Sequence, residues 1–262
     1  MANVVEMSHI FKSFGPVQAL RNVDLLLGYG EVLGLVGDNA AGKSTLMKVL
    51  TGAYSPDSGT IRFEDAQVQW TSPHESRLAG IEMVYQDFAL AGNLDICSNI
   101  FLGRELAQPV LGGGLRLLDE KQMEEASRNL LERLKIEIRS VRLKVENLSG
   151  GQRQAVAIAR ATAFQAKAVI MDEPTAALAV KEVAKVLEII RGLKEHNIAV
   201  IIISHRLQDI FQVCDRIMVL RQGRNVGERL VAETTMDEIV AMIVGAKEDA
   251  QSASVRSVAA GV

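Results

Sequence analysis

The sequence predicts an α/β fold with a mixed sheet flanked by helices, and three observations carry that prediction. Val32 to Val36 is a short apolar run that passes through a glycine-rich turn into a helical stretch beginning at Ser44. A second apolar run, Ala168 to Met171, ends in Asp172 and Glu173, as a buried central strand delivering charge to a sheet edge does. Strand-like segments occupy Val4 to Ser8 and Val17 to Leu27, then return among helices between Ala168 and Leu220. A mainly helical insertion, roughly 87–165, separates the two groups.

The turn reads Gly37-Asp38-Asn39-Ala40-Ala41-Gly42-Lys43-Ser44-Thr45 and fits the G-x-x-x-x-G-K-[ST] pattern, whose backbone N–H groups wrap the phosphates of a nucleotide. The helix that follows turns its positive end toward the same charge. Lys43 is then placed to neutralise the terminal phosphates and Ser44 to bind Mg²⁺. A plain glycine turn between strand and helix is the structural alternative. Asp172 suits Mg²⁺ coordination, directly or through water. Glu173, where the chain leaves the strand, suits the base or positioning group for the water that attacks a γ-phosphate. An Asp-Glu pair after a strand is by itself an ordinary solvated turn, and the phosphate loop in the same chain argues against that.

In Leu148-Ser149-Gly150-Gly151-Gln152, Ser149 suits the N-cap of a helix running to about Ala163, and the two glycines let backbone approach a phosphate closely. The result is an anion site with no lysine beside it; a capped helix after a Gly-Gly turn is the alternative. Gln86 and His205 follow the strand-like runs Gly80 to Tyr85 and Ile198 to Ile203 and therefore reach the same carboxyl edge, although a histidine after a strand is often structural. Within the insertion a helix starts at Asp119, with Gln122 three residues on, and places Met123, Ala126, Leu130 and Leu134 on one face.

Together these motifs resemble the ATP-binding subunits of ABC transporters, and the resemblance spans about Val5 to Gly245. It implies a P-loop NTPase core with an antiparallel β subdomain and an inserted α-helical subdomain. The implied organisation is one domain, 1–246, with core segments 1–86 and 166–246, a helical subdomain 87–165 and a disordered tail 247–262. Leu148 to Gln152 resembles the family's signature motif, which binds the γ-phosphate held by a partner subunit. Val84-Tyr85-Gln86-Asp87 is similar to the Q-loop, with Gln86 touching water or Mg²⁺. Ile203-Ser204-His205 is similar to the switch histidine, bonded to the γ-phosphate. Phe14 stands where the family stacks an aromatic on adenine, and a core aromatic remains the alternative.

Asp172-Glu173-Pro174-Thr175-Ala176-Ala177-Leu178, Phe101-Leu102-Gly103-Arg104-Glu105 and Thr234 to Gly245 resemble the ATPases of ribose-, xylose-, galactose- and fructose-type sugar importers. The resemblance implies ATP and Mg²⁺ as cofactors and a second ATPase subunit, most simply a homodimer, because one set of motifs is present. It further implies membrane permeases docking at Phe88 to Phe101, a substrate-binding protein acting through them, and a peripheral position on the cytoplasmic face of the inner membrane. Two residues depart from the family pattern. Ala40 replaces a glycine, which costs on the order of 1–2 kcal/mol if the backbone there is left-handed. Ala179 replaces the aspartate of the D-loop, or the glycine expected in the sugar group.

With 262 residues, 48% of them hydrophobic, the chain buries a substantial core. A net charge of -3 gives no electrostatic footprint for bulk nucleic-acid binding. No apolar run is long enough to span a membrane, and Met1 to Ile10 lacks the apolar region of a signal peptide. Cys97 and Cys214 lack metal spacing and read as free buried thiols. Gly112-Gly113-Gly114 reads as a loop, and the basic series Arg128, Arg133, Lys135, Arg139, Arg142, Lys144 as a solvated face. Three competing functions remain: an ABC protein acting on nucleic acid or ribosomes, a phosphate-loop kinase, and an exporter ATPase. The first lacks its tandem domains or coiled coil, the second leaves the signature, Gln86 and His205 without a role, and the third differs only in the membrane subunits.

Overall fold

The structure, a computed structural model, describes residues 3–109 and 116–245. The triple glycine and the expected tail lie outside the described residues. In chain order the strands are β1 (Asn3–Phe14), β2 (Val17–Gly28), β3 (Val32–Val36), β4 (Ser58–Phe63), β5 (Ala66–Val68), β6 (Ile81–Val84), β7 (Ala107–Pro109), β8 (Arg116–Leu118), β9 (Ala168–Asp172), β10 (Ala199–Ile203), β11 (Arg216–Arg221) and β12 (Arg224–Leu230). The helices are α1 (Lys43–Leu50), α2 (Pro73–Ala79), α3 (Ile96–Phe101), α4 (Glu120–Arg133), α5 (Gly150–Thr162), α6 (Val180–Glu195), α7 (Leu207–Val213) and α8 (Met236–Val244).

The central sheet runs β12-β11-β3-β10-β9-β6, parallel except for β12 at one edge. An antiparallel sheet, β2-β1-β4-β5, covers one side, and α3 to α7 lie toward the other. The two-residue period of the strands explains this sandwich. Val32, Val36, Val169, Met171, Val200 and Ile202 enter the core shared with the helices. Their neighbours Leu33, Leu35, Ile170, Ile201 and Ile203 enter the core shared with α1 and the antiparallel sheet. Strands buried on both faces have no polar positions to spare, hence their unbroken apolar runs. Each fully buried Leu or Ile side chain contributes about 1.5–3 kcal/mol.

The insertion between β6 and β9 holds α3, α4 and α5, and also a small β7–β8 hairpin that the sequence pattern did not suggest. Asp119 caps α4 by accepting from the Gln122 N–H at 3.0 Å, as expected. The buried face includes Met123, Leu130 and Leu134, as expected, and widens to take in Ser127 and Leu131, with Ala126 only partly buried. The basic series is not simply a solvated face. Arg142 forms ion pairs with Asp95 at the start of α3 and with Glu120 and Glu124 of α4, at 3.4, 3.1 and 3.0 Å, and the bonds to Glu124 and then Asp95 raise its pKa further. Cys97 and Cys214 are free and buried.

Candidate nucleotide site

Four neighbouring parallel strands deliver the site. β3, β10, β9 and β6 lie side by side, with Leu35 opposite Ile203, Ile203 opposite Asp172, and Met171 opposite Val84. Their carboxyl ends therefore bring the loop 37–45, Ser204 and His205, Asp172 and Glu173, and Gln86 to one edge.

After β3 the chain turns through left-handed conformations at Ala40 (φ 64°) and Gly42 (φ 106°), and Gly42 then caps α1. A Cβ on Gly42 would stand 2.8 Å from the Ala19 carbonyl oxygen, so both its torsion and its neighbour demand glycine. Ala40 adopts the left-handed torsion with a Cβ in place, the strained outcome the sequence made conditional. Gly37, Gly42 and Lys43 are half-buried, Ala41 is buried, and Asp38, Asn39 and Ala40 are exposed. The Lys43 ammonium donates to the carbonyl oxygens of Gly37 at 2.7 Å and Asp38 at 2.9 Å. Burial lowers its pKa, opposed by the charges of Glu173, Asp38 and Asp172. Burial and then the charge of Glu173 raise the Asp172 carboxyl above its usual range, opposed by Lys43 and Lys48. The loop lysine and the strand-end carboxylates thus share one electrostatic site. Ser44 and Thr45 follow in the first turn of α1, with Ser44 exposed.

Glu173 holds a left-handed backbone (φ 50°), fixed by its N–H donating to the Ile203 carbonyl at 2.8 Å. Such strain in a non-glycine residue persists only where surrounding bonds over-determine it. The Glu173 carboxylate accepts from the His205 N–H at 3.1 Å and the Ser204 hydroxyl at 3.3 Å, and it faces His205 Nδ1 at 2.8 Å. The His205 ring is largely exposed while the Glu173 side chain is 15% exposed. Behind them Thr175 donates to the buried Asp209 at 2.5 Å, which ties the segment after β9 to α7. Ser204 and Asp209 had no sequence signal beyond their neighbours, because their partners lie 31 and 34 residues away. Gln86 is exposed just past β6. Phe14 closes β1 with its ring edge-on to Tyr54 at 5.1 Å, and at 43% exposure it is not a core aromatic.

The signature segment stands apart on the insertion. Ser149 caps α5, its hydroxyl accepting from the Gln152 N–H at 3.3 Å while its own N–H donates to the Gln152 side chain at 3.1 Å. The Glu182 side chain lies over Gly151, where an added Cβ would meet its carbons at 2.7–3.0 Å, a neighbour that sequence spacing did not reveal. Ala179, extended at φ −68°, caps α6 without a side-chain bond.

Two strained loops, a lysine and carboxylates on one edge of a parallel sheet, with a capped signature helix on an insertion, agree with the family comparison. Residues 20–176 match the ABC transporter family model. The chain belongs to the ABC transporter family. It is 47% identical over 239 residues to the xylose/arabinose import ATP-binding protein XylG of Sulfolobus acidocaldarius, covering 91% of this chain and 93% of that one. It is 46% identical over 246 residues to the fructose import ATP-binding protein FrcA of Rhizobium meliloti, covering 93% and 95%. Against the ribose import ATP-binding protein RbsA of Bacillus cereus the identity is 39%, covering 92% of this chain and 48% of the relative. Among solved structures, MJ1267, an ATP-binding cassette of an ABC transporter in its ADP conformation, superposes with a TM-score of 0.77 at 27% identity, covering 93% of this chain and 96% of that one. By family and fold this ABC protein is an ATPase of the cassette type. No described helix is long and apolar enough to cross a membrane.

Proposed function

We propose that this cassette hydrolyses ATP at two composite sites of a dimer and so energises import of a monosaccharide through separate membrane permeases. The observation that carries the reading is the convergence of the phosphate loop, Asp172, Glu173 and His205 on one sheet edge, with the signature on a different helix. The loop 37–45 holds the phosphates through its N–H groups and Lys43, and Phe14 stacks on adenine. The donor set fits Mg²⁺, with the Ser44 hydroxyl, Gln86 amide and Asp172 carboxylate offering hard oxygen ligands. When bound, the ion neutralises charge on the phosphates. Glu173 takes a proton from water as its oxygen bonds to the γ-phosphorus, and the bond to ADP breaks to release phosphate. His205, already beside Glu173, fixes that carboxylate and reports on the γ-phosphate.

Ser149, Gly150, Gly151 and Gln152 present the end of α5 to the partner's ATP, so each site needs both subunits. The core segments 1–86 and 166–246 and the helical segment 87–165 are the moving parts. A groove of about 310 Å³ between them, lined by residues including Arg77, Glu82, Tyr85, Ala89, Ile100 and Arg104, is suited to a permease segment. It overlaps the expected docking stretch Phe88 to Phe101, and a peripheral position on the inner face of the membrane accords with it. The sugar assignment is supported by the 46–47% identity to sugar-import ATP-binding proteins along nearly the whole chain. A substrate-binding protein would act through the permease.

The Glu173→Gln variant tests the chemistry: it should keep MgATP affinity while turnover falls by about 10²–10⁴-fold. Near-normal hydrolysis would remove Glu173 from its role. Co-purification of permeases from detergent-solubilised membranes tests the transport reading, and ribosomes in their place would overturn it.

A further inference from the structure

Arg160 lies on α5, eleven residues beyond the signature Ser149 and 71 residues beyond its partner Ala89. Its guanidinium donates to the Ala89 carbonyl at 2.5 Å and to the Phe88 carbonyl at 3.2 Å. Both acceptors have left-handed backbone, φ 63° at Phe88 and 47° at Ala89, with only Asp87 between them and Gln86. Neither residue is glycine, so this reversal needs an outside anchor. Further bonds fasten the following stretch to the same subdomain. Buried Asn99 bonds both the N–H and the carbonyl of Ala91 at 2.8 and 3.0 Å, and the N–H groups of Val145 and Glu146 donate to Leu94 and Gly92. Arg153, two turns earlier on α5, holds the carbonyls of Val145 and Glu146 just before the signature.

A helix is a stiff lever, and 11 residues at 1.5 Å rise place the two ends of this one roughly 16 Å apart. One end carries the signature donors, the other grips the turn behind Gln86 and borders the groove assigned to the permease. We propose that Arg160 is the positioning residue through which closure at the signature moves the Gln86 segment, a role that rests on the dimer reading above. The fork suits it because a planar guanidinium presents its N–H groups to two successive carbonyls in one rigid plane, whereas the donors of an ammonium rotate on a flexible stem.

Hydrogen exchange of the full chain in a Glu173→Gln background, with and without MgATP, tests this. In the parent, MgATP should slow exchange in the peptide 148–154 and also in the peptide 85–90. Arg160→Ala should leave the response at 148–154 intact while the response at 85–90 falls by about ten-fold, the order expected for loss of charge-assisted bonds. Arg160→Lys, with the charge kept and the fork lost, should give an intermediate response, and it decides the matter by the same readout if Arg160→Ala fails to fold. A parent-like response at 85–90 in both variants overturns the inference alone. No response at 148–154 in the parent overturns the dimer reading, and the inference with it.

Discussion

The loop at 37–45 and the signature helix are both proposed to receive a phosphate, yet they are finished in opposite ways. The loop at 37–45 carries strain at Ala40, has its own cation in Lys43, and lies beside Asp172, whose pKa burial and Glu173 raise against the pull of Lys43. The signature at 149–152 is relaxed and internally satisfied, with Ser149 and Gln152 capping each other and the Glu182 side chain over Gly151. A site with its own counter-charge is able to hold a nucleotide within one subunit. A helix end without a cation gains enough only when a second subunit supplies the rest, because a macrodipole alone is worth about 0.3–1 kcal/mol at an exposed site.

The sharpest way to break that comparison is to disable the two ends in different molecules. Lys43→Ala should weaken nucleotide binding by about 100-fold, since two or more charge-assisted bonds to phosphate are lost. Gly151→Asp places a carboxylate where the partner's phosphate must come, and should leave binding to the loop intact while abolishing MgATP-dependent dimers. Alone, each variant should stay monomeric in light scattering. Mixed, they should form dimers again, because one loop and one signature are intact and face each other. A mixture that stays monomeric would mean that the signature does not serve a partner's nucleotide.

Charge within the loop site gives the next effect. Burial and Glu173 hold the Asp172 pKa above its usual range, so the folded state binds that proton more tightly than the unfolded chain does. Its stabilising contribution is present below the ordinary carboxylate pKa and is lost as pH rises through the raised value. At neutral pH an ionised Asp172 therefore costs stability. Asp172→Asn should raise the Tm at pH 7 by about 2 °C, with the gap closing as the pH approaches 4, while Mg²⁺-dependent hydrolysis disappears. A Tm lowered at pH 7 would show that Asp172 is held mainly by its cations rather than opposed by burial.

What was legible in the sequence follows the same divide between local and distant causes. The phosphate loop, the Asp172-Glu173 strand end and the Ser149 cap are each written within about ten residues, where period, glycine and capping chemistry act. The insertion of β10 between β3 and β9 is not, since the pairing Ile203 to Asp172 depends on a crossover. Strand β4 escaped notice because only Ile61 and Phe63 of its six residues are buried, beside a Ser-Gly-Thr start. The Arg160 clamp and the Glu182 contact left no pattern at all, because each joins segments remote in sequence.

The two alanines that depart from the family pattern separate strain from mere substitution. Ala179 has ordinary extended torsions, so its missing side chain costs α6 a cap but bends nothing. Ala40 is exposed at φ 64°, so replacing it with glycine removes no packing and acts only on the backbone. Two opposing effects then decide the sign. Relief of the left-handed strain is worth about 1–2 kcal/mol. The extra freedom of glycine in the unfolded chain takes back about 0.4–1 kcal/mol. Strain relief wins, so Ala40→Gly should raise the Tm by about 1–3 °C and leave ATP affinity unchanged or improved. Calorimetry with and without nucleotide measures both quantities together. A clear loss of ATP binding would mean that the alanine methyl, and not the backbone it strains, serves the loop.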